Sequence, residues 1–207
     1  DSTVSATSTE SSSVTPTKIN GLVNSILAKF PLNYPVTLVF VGCGTDAETD
    51  KITVDVAQHL TERYIGKVLL VDANPSSRML SEGLGLAELK GIGNVICDEQ
   101  PWQPLLQSAH VGGLDCLPYG NVNTSKTLRS RTQAFLTDAK TEYQFICVSA
   151  GRNESPLSKS FCTAADGIYL LVDLVQLSHH EAKIASDKLL QNNLPLVGCI
   201  ALDAKQE

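Results

Sequence analysis

The stretch VTLVFVGCGTDAETD, residues 36–50, decides how the rest of the chain is read. Val36 to Val41 is a short, almost wholly apolar or β-branched run. It is too short for a buried helix, and without polar alternation it predicts a strand covered on both faces. Gly42 and Gly44 follow, and glycine permits the tight turn that takes a strand into a helix. A helical pattern then runs over about residues 47–64, and a second apolar run from Lys67 to Val71 closes on Asp72. Strand, turn, helix and strand make a βαβ unit, the building block of a parallel sheet.

Outward from this unit the same alternation repeats. Further strands are predicted at Leu114–Leu117, Gln144–Val148, Ile168–Val172 and Leu196–Leu202, with helices near 79–84, 125–141, 157–164 and 179–192. Ser178 followed by Glu181 is a capping box, and Ser155 before Pro156 is an N-cap with proline at the first helical position. Upstream, Ile19, Leu22, Val23, Ile26, Leu27 and Phe30 recur at helical spacing until Pro31 ends the helix. Residues 1–17, dominated by Ser and Thr and lacking apolar periodicity, are expected to form a flexible linker. Residues 18–207 are expected to form one domain, a three-layer α/β/α sandwich with a mostly parallel central sheet.

Composition excludes several classes of function. Net charge is −6 and the pI about 5.2, so no basic footprint for nucleic acid exists. Apolar runs fall far short of the roughly 20 residues that cross a bilayer. The six cysteines form no C-x-x-C pair, and Cys116, Cys147 and Cys199 lie within apolar runs. They read as reduced, mostly buried thiols, which points to a cytoplasmic setting. The chain opens at Asp1 rather than Met, which reads as a processed chain or a piece of a longer one, and an upstream membrane tether is compatible with it.

Ligands of open parallel sheets bind at the carboxyl ends of the strands. Candidate site residues therefore lie in 42–50, 72–78 and 149–152, and at Asp173 and Asp203. Gly42 and Gly44 read as a tight turn or as a phosphate loop. Asp72 reads as a loop cap or a cation ligand. Asp46, Glu48 and Asp50 read as carboxylates complementing the dipole of a solvated helix N-terminus, or as hard oxygen ligands. His179 and His180 face different ways on a helix, which argues against a metal site. No G-x-S-x-G elbow supports a hydrolase triad of Ser149, a histidine and Asp173. Trp102 is either an exposed contact or a satellite core residue.

The order of these pieces resembles the P-loop nucleotide hydrolases of the partition-ATPase and bacterial tyrosine-kinase type over about residues 18–204. The matching phrases are VLLVDANPSSRML (68–80), LSEGLGL (80–86), GIGNVICDE (91–99), GLDCLPYGN (113–121) and ADGIYLLVD (165–173). A working P-loop reads G-x-x-x-x-G-K-[ST], in which amides cradle phosphates, lysine neutralises them and the hydroxyl holds magnesium. Alignment through Ala57, Leu60 and Asp72 puts the motif's last glycine on Glu48, its lysine on Thr49 and its hydroxyl residue on Asp50. The strand that should end in a magnesium-organising aspartate ends in Ser149. Asp72 matches a further acidic position of the family, but Asn74 stands where its companion should be. Lys51, two positions beyond the motif's lysine, lies about 200° around the helix from the required direction.

What the resemblance implies is a degenerate kinase domain of the kind that serves polysaccharide co-polymerases. Asp72 and Ser149 are then vestigial catalytic positions, and Gly42, Gly44, Thr49 and Asp50 a vestigial phosphate loop. No cofactor is expected. The implied partners are a membrane-embedded polysaccharide chain-length regulator, fused or separate, and further copies of the same chain. The alternative is an active ATP- and magnesium-dependent tyrosine kinase or ATPase that uses Lys51 as a substitute lysine.

Overall fold

The computed structural model describes residues 16–30, 32–44, 47–63, 66–76, 81–82, 86, 89–108, 113–122, 128–152 and 155–202. Thr45, Asp46, Asp203, residues 77–80 and most of the expected helix at 79–84 lie outside them. Helices run over Pro16–Lys29 (α1), Ala47–Arg63 (α2), Ile92–Asp98 (α3), Leu128–Ala139 (α4), Pro156–Ala164 (α5) and His179–Gln191 (α6). Strands run over Val36–Cys43 (β1), Val68–Asp72 (β2), Gln107–Ser108 (β3), Leu114–Leu117 (β4), Phe145–Ser149 (β5), Gly167–Asp173 (β6) and Leu196–Leu202 (β7). Their order across the sheet is β3-β4-β2-β5-β1-β6-β7, and every pairing is parallel except that of β3 with β4.

Period-two alternation explains the layers. Leu38 and Phe40 point to one face, where Ile19, Val23 and Ile26 of α1 and Ile52, Val56 and Leu60 of α2 cover them. Val39 and Val41 point to the other face, under Phe135 and Leu136 of α4, Leu157 and Phe161 of α5 and Leu189 of α6. The apolar stripe of α1 is thus covered by this domain's own sheet. That helix begins at Pro16, so two residues assigned to the linker belong to it. Proline tolerates the first turn, because the missing amide would have no partner there.

The two capping expectations hold. Ser178 Oγ accepts from the Glu181 amide at 3.3 Å while Glu181 Oε2 accepts from the Ser178 amide at 2.9 Å. Ser155 Oγ accepts from the Ser158 amide at 3.0 Å. Three elements escaped the sequence reading, the short helix α3, a 3-10 turn at Gln103–Leu105 and the two-residue strand β3. Around α3 the chain is so close that a Cβ on Gly91 would lie 1.8 Å from the Pro118 carbonyl, and one on Gly93 2.3 Å from that of Asn121. Only glycine fits at either place.

Trp102 is a core residue, 4% exposed. Its indole N–H donates to Asp138 at 2.7 Å, and its ring lies 6.0 Å from those of both Phe135 and Tyr143. All six cysteines are free, but Cys199 is exposed, contrary to its apolar sequence setting. It sits on β7, an edge strand that pairs only with β6 among the described residues. Among the described residues no helix is long and apolar enough to cross a membrane.

Candidate functional site

Parallel pairing brings the ends of β2 and β5 side by side, with Asp72 directly opposite Ser149. Strand β1 leads through the Gly42–Gly44 turn into α2, whose first turn carries Asp50 back over those two ends. Asp50, Asp72, Asn74 and Ser149 are all buried. The Ser149 hydroxyl hydrogen-bonds Asp50 Oδ1, and Asn74 Nδ2 donates to the same oxygen at 3.1 Å. One carboxylate therefore gathers a hydroxyl from one strand end and an amide from the loop after another.

Asp50 thus departs from the solvated helix N-terminus expected of it, being only 2% exposed. Thr49 is buried as well. The signal was present in the spacing: Asp50, Thr53, Ala57 and Leu60 recur at intervals that place them on one helical face, and that face is the buried one. Glu48 is half-buried, and burial raises its carboxyl above the usual range, against the pull of Lys51. Lys51 sits half-exposed in the second turn of α2, where its charge acts on Glu48 and Asp55.

Asp72 caps the loop that follows it. Its Oδ1 accepts from the Asn74 amide at 3.1 Å, and its Oδ2 accepts from the Ser81 amide at 3.1 Å and from the Ser81 hydroxyl. Ser81 Oγ in turn accepts from the Tyr119 amide at 3.0 Å, so Asp72 ties the end of β2 to the chain leaving β4. Burial pushes the Asp72 carboxyl up to about 6, with the Ser81 hydrogen bond opposing and the nearby Asp50 charge reinforcing the shift. Two carboxylates share this enclosure with neutral hydroxyl and amide donors that tie the loops together.

The remaining candidates are placed apart from it. Asp173 Oδ1 accepts from the Val175 amide at 2.9 Å and so caps its own turn. His179 and His180 are exposed at the head of α6, and no group of three metal-ligating side chains occurs among the described residues. Ser149 is engaged by Asp50 rather than by a histidine. Gly44 adopts φ +98°, a left-handed conformation that favours glycine, and its Cα faces Leu177, whose Cδ1 would lie 3.0 Å from an added Cβ.

Comparison with known proteins rests on structure alone, since no family model and no curated protein matches the sequence. The kinase domain of the Escherichia coli tyrosine kinase ETK aligns with a TM-score of 0.80 at 16% identity, over 91% of this chain and 75% of that one. This chain has the fold of the bacterial tyrosine kinase domains. The VpsO kinase domain is similar as well, with a TM-score of 0.73 at 17% identity over 91% of this chain and 97% of that one. A ParA family ATPase from Chlorobium tepidum TLS aligns with a TM-score of 0.60 at 17% identity, over 84% and 76% of the two chains. The kinase domains and the ATPase thus share one α/β architecture with this chain.

Proposed function

We propose that this chain is a degenerate, non-catalytic tyrosine-kinase-like domain that works as an assembly module in exopolysaccharide or capsule production and export. The observation that carries the reading is the Asp50–Ser149 hydrogen bond. In working P-loop enzymes the helix after the loop supplies the hydroxyl and a strand end supplies the carboxylate, and both serve magnesium. Here the two chemistries stand in exchanged places. Asp50 is on the helix, Ser149 is on the strand, and the pair closes on itself with Asn74 as a third member.

A carboxylate on the loop side also repels phosphate, by several kcal/mol on an order-of-magnitude estimate for like charges in a partly dry site. Thr49 at the lysine position supplies no neutralising charge. Selection for a fold without its phosphate chemistry fits a role in contacts with other chains. By analogy with the kinase family, the partners are a membrane-embedded chain-length regulator and further copies of this chain, on the cytoplasmic side of the inner membrane.

The test is restoration. A variant carrying Glu48→Gly, Thr49→Lys, Asp50→Ser and Ser149→Asp returns the four motif positions. It should gain saturable Mg-ADP binding by calorimetry. A well-folded variant that binds nothing would show that these positions do not correspond to the phosphate loop.

A further inference from the structure

A groove of about 1040 Å³ lies between α5 and α6, lined at one end by Gly42, Cys43 and Gly44. Neither Asp50 nor Ser149 lines it. While α5 packs closely on α4, the groove separates it from α6. Its apolar lining comes from Val41, Cys162, Leu170, Leu177, Leu189 and Leu194. Ile184 of α6 also lines it and is 54% exposed, so part of the apolar surface is open to water.

The charge around this surface runs against that of the chain. Net charge is −6, yet Arg129, Arg152, Lys159 and Lys188 line the groove against a single carboxylate, Glu181. Elsewhere Arg131 pairs with Glu99 and Lys140 with Asp166. Lys159 and Lys188 make no ion pair among the described residues. At this size the groove stands at the upper end of ligand pockets, which hold about 300–1,000 Å³.

Those two features together select a ligand chemistry. A bare inorganic anion satisfies the cations and leaves the apolar lining wet. A neutral apolar molecule covers that lining and takes the ammonium groups out of water without a partner, which is costly. We propose that the groove binds an amphiphilic anion, with one phosphate or carboxylate held by the basic rim and a hydrocarbon or aromatic body laid along the apolar lining. The groove touches the vestigial phosphate loop at Gly42 and Gly44 but takes in neither Thr49 nor Asp50, and the proposal does not depend on whether that loop binds nucleotide.

Dodecyl phosphate, kept below its micelle concentration, is the probe, with dodecyl maltoside and inorganic phosphate as the two halves of its chemistry. Calorimetry should give one saturable site for dodecyl phosphate, with both controls weaker by about tenfold or more. Reversing two rim charges with Lys159→Glu and Lys188→Glu should weaken it by about tenfold or more. Glu181→Gln keeps the capping acceptor and removes the one opposing charge, so it should tighten binding by about threefold, a change no loss of folding produces. Bound dodecyl phosphate should slow alkylation of Cys43, which lines the groove, and leave Cys199 on β7 unaffected. Equal binding of the maltoside, equal binding of inorganic phosphate, or indifference to both charge changes would overturn the proposal.

Discussion

Exchanging Asp50 and Ser149 is the perturbation most closely tied to the geometry at the strand ends. Asp50→Ser alone removes the oxygen that serves the Ser149 hydroxyl and the Asn74 amide, both buried. A buried donor left without its acceptor costs about 1–3 kcal/mol, so the single change should destabilise by about 2–4 kcal/mol. Ser149→Asp alone sets a second carboxylate against Asp50, beside Asp72 on the neighbouring strand. Two unit charges about 4 Å apart at an effective dielectric near 20 repel by about 4 kcal/mol. With both changes made, the serine introduced on the helix donates to the carboxylate introduced on the strand, and the pair re-forms with its members reversed. The double variant should therefore be more stable than the sum of the singles by about 3 kcal/mol, the upper end for residues in contact. Equilibrium urea unfolding with linear extrapolation measures all four corners of the cycle. Additivity to within about 0.5 kcal/mol would refute the reasoning, because residues that do not interact behave that way.

Two further outcomes follow from burial. Asp72, with its carboxyl raised to about 6 from an ordinary 3.8, holds a proton in the folded chain that the unfolded chain releases at lower pH. Its contribution to stability is fully present below about pH 4 and is lost as pH rises through about 6, on the order of 3 kcal/mol in all. A carboxyl-carbon NMR titration of Asp72 should show a midpoint near 6, and a midpoint near 4 would count against the enclosure. For the thiols, a reagent added to the folded protein should modify Cys199 first and leave Cys116, Cys147 and Cys162 untouched until denaturant exposes all six. Fast modification of Cys147 in the folded state would contradict the sheet order.

The parts of the fold legible in the sequence were those where burial on both faces leaves almost nothing but apolar or β-branched residues. The run Val36–Val41 is an example, although β1 continues to Cys43 because its pairing with β6 outlasts the apolar run, Gly42 opposite Leu171 and Cys43 opposite Val172. Helix α3 was not legible, since seven residues bearing Gly93 and Asn94 show too little periodicity. Its mark is the glycine pair that lets the backbone approach Pro118 and Asn121. Cys199 misled for the opposite reason: an apolar run implies burial only where both neighbours are present, and β7 has one among the described residues. At the site, Thr49 and Asp50 at the motif's lysine and hydroxyl positions are what the family resemblance implies. Helical spacing puts Asp50 on the buried face of α2, but its meeting with Ser149 depends on two strand ends converging, which no local pattern records.

Whether the loop after β1 holds a nucleotide is measured by calorimetric titration of the natural chain with Mg-ATP. A ligand at about 100 times its dissociation constant stabilises a fold by roughly 2.7 kcal/mol, so a parallel thermal unfolding series would reveal even modest affinity. No saturable heat and no shift of the unfolding transition are expected at millimolar Mg-ATP. Saturable binding with a clear upward shift, both abolished by Lys51→Ala, would contradict that expectation and favour the alternative in which Lys51 is the substitute lysine.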